Sequence, residues 1–304
     1  MYRLILVPLD GSPFAELALP TVVTLAARHG AALHLTAVHN LATRPLDMQG
    51  APSYDPSFDN ARRRELDEYM AGVASRLGGE LGREVAWSVV PDSPSTAQAI
   101  ADEAARLGAE LIALTTHGRG GFSRAWLGSV TTELLRGSPV PMLVVRATGD
   151  TAPSFNPRRV LVPLDGSELS ARALEPALAL AAPFGSSFLI LQVVRTGESL
   201  LPYDQTFWTE AEREVMEAQR LAGQADVDRV VAELRERGLE ADGLVIMESD
   251  PGRTILQAAA SHAVDMIAMS TRGRGGVARL MMGSVTDRVI RGAEHPVLVV
   301  GPTD

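Results

Sequence analysis

The chain writes its most structured phrases twice. LILVPLDGS at residues 4–12 returns as VLVPLDGS at 160–167, and TTHGRGGFSRAWLGSV at 115–130 returns as STRGRGGVARLMMGSV at 270–285. Asp10 and Asp165, Gly118 and Gly273, Gly128 and Gly283, and Pro141 and Pro296 all stand 155 residues apart. Only in the loop after the third strand signal does the register shift, where pairing Pro94 with Pro251 implies a slip of two. A chain of 304 residues holds about two domains, and a repeat of this length makes them copies of one another. ATGDTAPSFNP at 147–157 is small, polar and proline-bearing, which marks a linker. The expected division is a domain over 1–147, a linker over 148–157 and a second domain over 158–304.

Within each copy, strand and helix patterns alternate. LILV at 4–7 is a continuous apolar run, as expected of a strand buried on both faces. Helix is expected over 13–29, 61–78 and 95–107 and from Ser129 onward. Strand is expected over 32–38, 84–90, 111–115 and 141–145. Leu66, Met70, Val73 and Leu77 form one apolar face of the second helix. The second copy repeats the plan, with strands near 159–163, 187–194, 241–247, 264–270 and 296–300. Five strands separated by helices imply an α/β fold, a parallel sheet with right-handed crossovers. Ligands of such sheets sit outside the carboxyl ends of the strands, where strand order reverses. Asp10 ends the first strand and Gly118 follows the fourth, so both belong to that crevice.

Two residue types are missing. There is no cysteine, which excludes disulfides, thiolate nucleophiles and cysteine–zinc sites. There is no lysine either: all 28 basic residues are arginine. P-loop chemistry, the kinase strand lysine and Schiff-base catalysis are excluded with it. A net charge of −9 argues against a sequence-independent grip on nucleic acid or anionic lipid. No apolar stretch reaches membrane-spanning length and no signal peptide follows Met1, so the expectation is a cytoplasmic protein.

The glycine phrase carries the chemistry. Gly118-Arg119-Gly120-Gly121 can turn with positive φ and lets backbone approach an anion. Gly128-Ser129-Val130-Thr131 opens a helix whose first amides lack intrahelical acceptors and lie at the positive end of its dipole. A phosphate suits that place. Without lysine, its charge must be met by backbone amides, hydroxyls, Arg119 or Arg124, and a divalent cation. A glycine-rich turn with a capping serine is also an ordinary helix start, and each aspartate can equally cap the helix that follows it.

PLDGS after strand one, THGRGG…LGSV after strand four and the closing PVPMLVV, with their second-copy partners PLDGS, TRGRGG…MGSV and HPVLVV, resemble the universal stress protein family, here as two domains in series. The resemblance implies two five-stranded parallel sheets of order 3-2-1-4-5, helices on both faces, and an ATP site with Mg²⁺ at the strand ends. The family's phosphate pattern is carried onto Gly118, Gly128 and Ser129, and onto Gly273, Gly283 and Ser284, with Val130 and Val285 adding helix amides. Its first glycine is replaced by Thr115 and Ser270. Asp10 and Asp165, preceded by Pro8 and Pro163, occupy the nucleoside position; Val38 and Val193 end the strand whose backbone meets adenine. The resemblance also implies an internal pseudo-dimer of the two domains and leaves room for a homodimer.

Other features read as structural. His117 is matched by Arg272, so it is a rim residue rather than a general base needed in both copies. His29, His34, His39, His262 and His295 are scattered. Arg62-Arg63-Arg64 is a solvated helix face. Trp126 and Met281, at the same place between the glycines, are expected to pack under the loop, with a nucleobase platform as the alternative role. The loops over 41–60 and 195–207 are long for this fold. The leading expectation is an ATP-binding stress-response protein acting through nucleotide-dependent conformation or assembly, with hydrolysis slow at most. The alternatives are an ATPase or nucleotidyl transferase, and a nucleotide-free scaffold in which Thr115 and Ser270 close the pocket.

Overall fold

The computed structural model describes residues 1–40, 43–44, 53–54, 56–92, 94–117, 127–147, 155–195, 209–271 and 282–301. The chain divides into two compact units, Met1–Phe155 and Asn156–Pro302. In the first, the order is β1 (Leu4–Pro8), α1 (Leu19–His29), β2 (Ala32–His39), α2 (Pro56–Leu81), β3 (Ala86–Pro91), α3 (Thr96–Leu107), β4 (Leu111–His117), α4 (Ser129–Gly137) and β5 (Met142–Ala147). All these strands pair in parallel, in the order β3-β2-β1-β4-β5. A two-residue antiparallel ladder, Thr43–Arg44 against Ser53–Tyr54, lies in the stretch expected to be loop. α2 begins at Pro56, earlier than its apolar face suggests.

The second unit repeats this with β6 (Arg159–Leu164), α5 (Glu168–Ala171), α6 (Leu174–Ala181), β7 (Ser187–Val194), α7 (Glu210–Glu236), β8 (Ala241–Met247), α8 (Pro251–Ser261), β9 (Met266–Ser270), α9 (Ser284–Gly292) and β10 (Val297–Val300). Its order, β8-β7-β6-β9-β10, is the same and again parallel. Among the described residues no helix is long and apolar enough to cross a membrane.

The central strands justify the continuous apolar reading. Ile5, Leu6 and Val7 of β1, and Val160, Leu161 and Val162 of β6, are wholly buried. Each such side chain contributes about 1.5–3 kcal/mol relative to exposure. Met70, Val73 and Leu77 of α2 are buried as their spacing predicts, but Leu66 is only half-buried and faces a cleft instead.

The helix caps correct the proline register. Ser95 caps α3, its Oγ accepting from the Gln98 amide at 3.2 Å. Asp250 caps α8, its Oδ1 accepting from the Arg253 amide at 3.2 Å. These caps stand 155 apart, like the other landmarks. Pro94 precedes its cap whereas Pro251 is the first helical residue, where a missing amide costs nothing. The two prolines are therefore not equivalents, and the slip of two disappears.

One polar cluster distinguishes the copies. On β2, β3 and α3, Ser88 Oγ donates to Glu103 Oε1 at 2.6 Å and lies 2.9 Å from His34 Nε2. Arg106 closes a bidentate pair with Glu103 at 2.6 and 2.7 Å. In the second copy, register and cap position put Leu189, Leu244 and Ala258 at these places. Burial holds the His34 imidazole below its ordinary range, against the pull of Glu103. Hydrogen bonds from Arg106 lower the Glu103 carboxyl, and burial opposes them.

Because the folded His34 binds its proton less readily than the unfolded chain, its stabilising effect is intact above about pH 6.5 and is lost as pH falls toward the folded value. Glu103, also lowered, yields its share only as pH drops below about 4.5. His34 therefore contributes to the loss of stability in the window below about pH 6.5, before Glu103 does so below about pH 4.5. Urea unfolding at stepped pH should show the midpoint of the first unit falling across that window. The variant His34→Leu, which copies Leu189, should flatten it.

Candidate functional site

Strand order reverses at β1, so the carboxyl ends of β2 and β4 diverge on either side of it. A cleft of about 700 Å³ opens there in the first unit. Its walls include Pro8, Asp10, Val38, Thr115, Gly128, Ser129 and Val130, so seven of the eight positions singled out in this copy converge on one space. Gly118 lies outside the described residues, as do Gly273, Arg119, Arg124, Trp126 and Met281.

The turn after β1 places Asp10. Gly11 takes φ 81°, a left-handed conformation that a side chain would strain. The chain then folds back so that the Ser12 amide donates to Asp10 Oδ1 at 2.9 Å, and Ser12 Oγ accepts from the Ala15 amide at 3.1 Å. The carboxylate thus shapes the turn while remaining exposed at the cleft wall. The second copy repeats this device. Gly166 has φ 78°, and Asp165 Oδ1 accepts from the Ser167 amide and hydroxyl at 3.0 and 2.5 Å.

The far wall is the start of α4. Gly128 is its cap, with extended backbone and no side-chain cap bond. The first intrahelical bond runs from the Thr132 amide to the Gly128 carbonyl at 2.9 Å. The amides of Ser129, Val130 and Thr131 have no acceptor among the described residues, and the helix dipole adds to their positive potential. In the second copy the Gly283 amide donates to the Thr271 carbonyl at 2.9 Å, tying α9 to the end of β9. A Cβ on Gly283 would stand 3.1 Å from that carbonyl, so any side chain there would crowd the approach. Ser284 and Val285 follow at the helix start, and the buried Thr271 hydroxyl has no partner among the described residues. Pro163, Asp165, Val193 and Ser270 stand at the matching strand ends.

Thr115, where the family pattern has glycine, turns its hydroxyl to the Ala15 carbonyl at 3.3 Å. It braces the β1 turn and forms part of the cleft wall. Ser270 is buried in β9, and its carbonyl accepts from the Thr286 hydroxyl at 2.9 Å.

Two groups at the cleft were not singled out by sequence. His39, which ends β2, lies 2.8 Å through Nε2 from Asp59 Oδ1 in the first turn of α2. Tyr69 donates to Glu16 at 3.1 Å, and Arg76 pairs with the same carboxylate at 2.5 Å. Burial, with the nearby Glu16 and Asp10 charges, pushes the Tyr69 phenol above its usual range, so it stays a donor. Arg62, expected on a solvated face, is exposed but also reaches the cleft rim. The signal for His39 was weak: its partner sits twenty residues on, in a stretch expected to be loop. Among the described residues no group of three or more acidic, histidine or cysteine side chains could hold a metal.

Residues 1–146 and 156–301 each match the model of the Universal stress protein family, and the chain belongs to that family. A universal stress protein of Mycolicibacterium smegmatis is 28% identical over 305 residues, covering 98% of this chain and 97% of its own. One from Mycobacterium tuberculosis is 29% identical over 192 residues, so the match spans 63% of this chain and only 61% of that relative. Among solved structures, a universal stress protein from Archaeoglobus fulgidus superposes with a TM-score of 0.69 at 22% identity, covering 98% of both chains. That likeness concerns the fold.

Replacing Thr115 by Gly removes the bond to Ala15 and puts glycine in a central strand. It should cost about 1–2 kcal/mol in urea unfolding. Thr115→Ser, which copies Ser270, should cost less than half as much.

Proposed function

We propose that the cleft of the first domain binds ATP, and that the chain is a stress-response protein whose conformation or assembly follows nucleotide occupancy. The observation that carries this reading is the set of amides at Ser129, Val130 and Thr131, without acceptors among the described residues, opening into the same cleft as Asp10 and Val38. Backbone amides at a helix start are suited to phosphate oxygens without any ammonium side chain. Asp10, at the end of β1 and one strand from β4, is suited to hydroxyls of a sugar. The second copy has the same turn, glycine cap and helix start, which extends the proposal to Asp165, Gly283 and Ser284.

The described residues make no protein-built metal site, so Mg²⁺ would enter as part of the nucleotide, held by phosphate oxygens and water. Catalysis is a poor fit. Among the described cleft residues the histidine is His39, at the end of β2, with β1 between it and β4. We therefore expect hydrolysis to be slow or absent, with occupancy rather than turnover as the output.

The test removes one amide while keeping the helix. Proline is well tolerated at the first helical position, so Ser129→Pro deletes an amide and a hydroxyl with little effect on folding. Calorimetric titration with Mg·ATP should show affinity lowered about tenfold or more, since bonds to charged oxygens are worth about 1.5–3 kcal/mol. Asp10→Ala should also weaken binding. Absence of a binding signal in the unaltered protein overturns the reading.

A further inference from the structure

The two ends of the first-domain cleft differ in chemistry. At the α4 end are backbone amides. At the β2 end side chains of β2 and α2 line the cleft, Val38, Leu66 and Tyr69 beside the polar Thr36 and Asn40, and His39 is the imidazole among them. β2 and β4 are separated by β1, about 10 Å at two strand spacings. A ligand with its phosphates on α4 therefore lays its ring against the β2 end, beside His39.

His39 is 9% exposed, and its tautomer is set by its partner. A carboxylate only accepts, so Asp59, 2.8 Å from Nε2, keeps a proton on that nitrogen. Nδ1 has no hydrogen bond among the described residues. In the neutral ring Nδ1 is an acceptor; in the cation it becomes a donor. Other charged groups about the cleft are Asp10 after β1 and Arg62 and Glu65 on α2, and the Asp92 amide donates to the His39 carbonyl at 3.1 Å. In the second copy the position of His39 is Val194, which can do neither.

We propose that His39, oriented by Asp59, is a specificity-determining residue of the first-domain cleft: its Nδ1 reads the exocyclic group of the ligand's purine ring. The neutral ring selects an exocyclic amine, and the cationic ring selects an exocyclic carbonyl. Selection is thus set by pH in the first domain and has no counterpart in the second. This inference rests on the nucleotide reading of the cleft.

The test is a calorimetric comparison of Mg·ATP with Mg·ITP, which differ in that exocyclic group, on the full chain between pH 5.5 and 8. The component read is the one that Ser129→Pro weakens. At pH 8 the unaltered protein should prefer ATP about tenfold, the worth of one neutral hydrogen bond with its desolvation cost. The preference should shrink as pH falls. His39→Val, which copies Val194, should show a small preference independent of pH. Asp59→Asn, nearly isosteric, can donate to Nε2 as well as accept from it, so it frees the tautomer and should weaken the preference for ATP at pH 8. If His39→Val fails to fold, the loss of ATP preference in Asp59→Asn alone decides. A preference in the unaltered protein that ignores pH, or one that survives both substitutions, overturns the inference and leaves the nucleotide reading standing. No nucleotide binding at any pH overturns both.

Discussion

Everything in each unit depends on a strand buried on both faces and paired on both edges. β1 bonds to β2 along Leu4–Pro8 and to β4 at Ile5 and Leu6, and its central Ile5, Leu6 and Val7 see no water. A strand so enclosed cannot slide by one residue without exposing its core face. Its carboxyl end is therefore a fixed point, and the turn through Gly11 or Gly166 is fixed with it. Since neighbours on either side run on through separate crossovers, the strand ends part at that point and leave a crevice. The position of Asp10 follows from burial elsewhere, rather than from any ligand.

Duplication has kept this framework and altered what surrounds it. The turn, the glycine cap and the helix start are common to both copies. The sheet face beside β2 is not. His34, Ser88 and Glu103 form a satisfied polar cluster in one copy, where Leu189, Leu244 and Ala258 stand in the other. A buried polar cluster costs desolvation that leucine avoids, and it is tolerated here because each member finds a partner. His39 and Val194 differ in the same way at the strand end. Near Val194, Gly223 of α7 lies so close that a Cβ would stand 3.0 Å from the valine side chain. In the first copy α2 instead sends Asp59 to His39. Two similar frameworks thus present different chemistry.

On the proposed nucleotide reading, the cleft would meet an anion without lysine. Its positive potential comes from oriented amides, which carry no formal charge and need no counter-ion when the site is empty. Arginine is available at the rim through Arg62, but its pair with Glu65 at 2.8 Å is exposed and weak. Such a site is shaped by main chain, so its competence depends on the backbone more than on side-chain identity.

The amino-acid sequence by itself determined the duplication, the alternation of strand and helix, the strand order implied by family likeness, and seven of the residues that line the cleft. Those features are local: apolar runs, a glycine turn and a helix cap are written in neighbouring residues. Only the tertiary structure decided that Leu66 leaves the core for the cleft, that Thr115 turns its hydroxyl to Ala15, that Pro94 and Pro251 are not equivalents, and that His39 meets Asp59. Each of these depends on which elements the crossovers bring side by side, and a crossover joins residues whose separation along the chain carries no periodic or compositional signal.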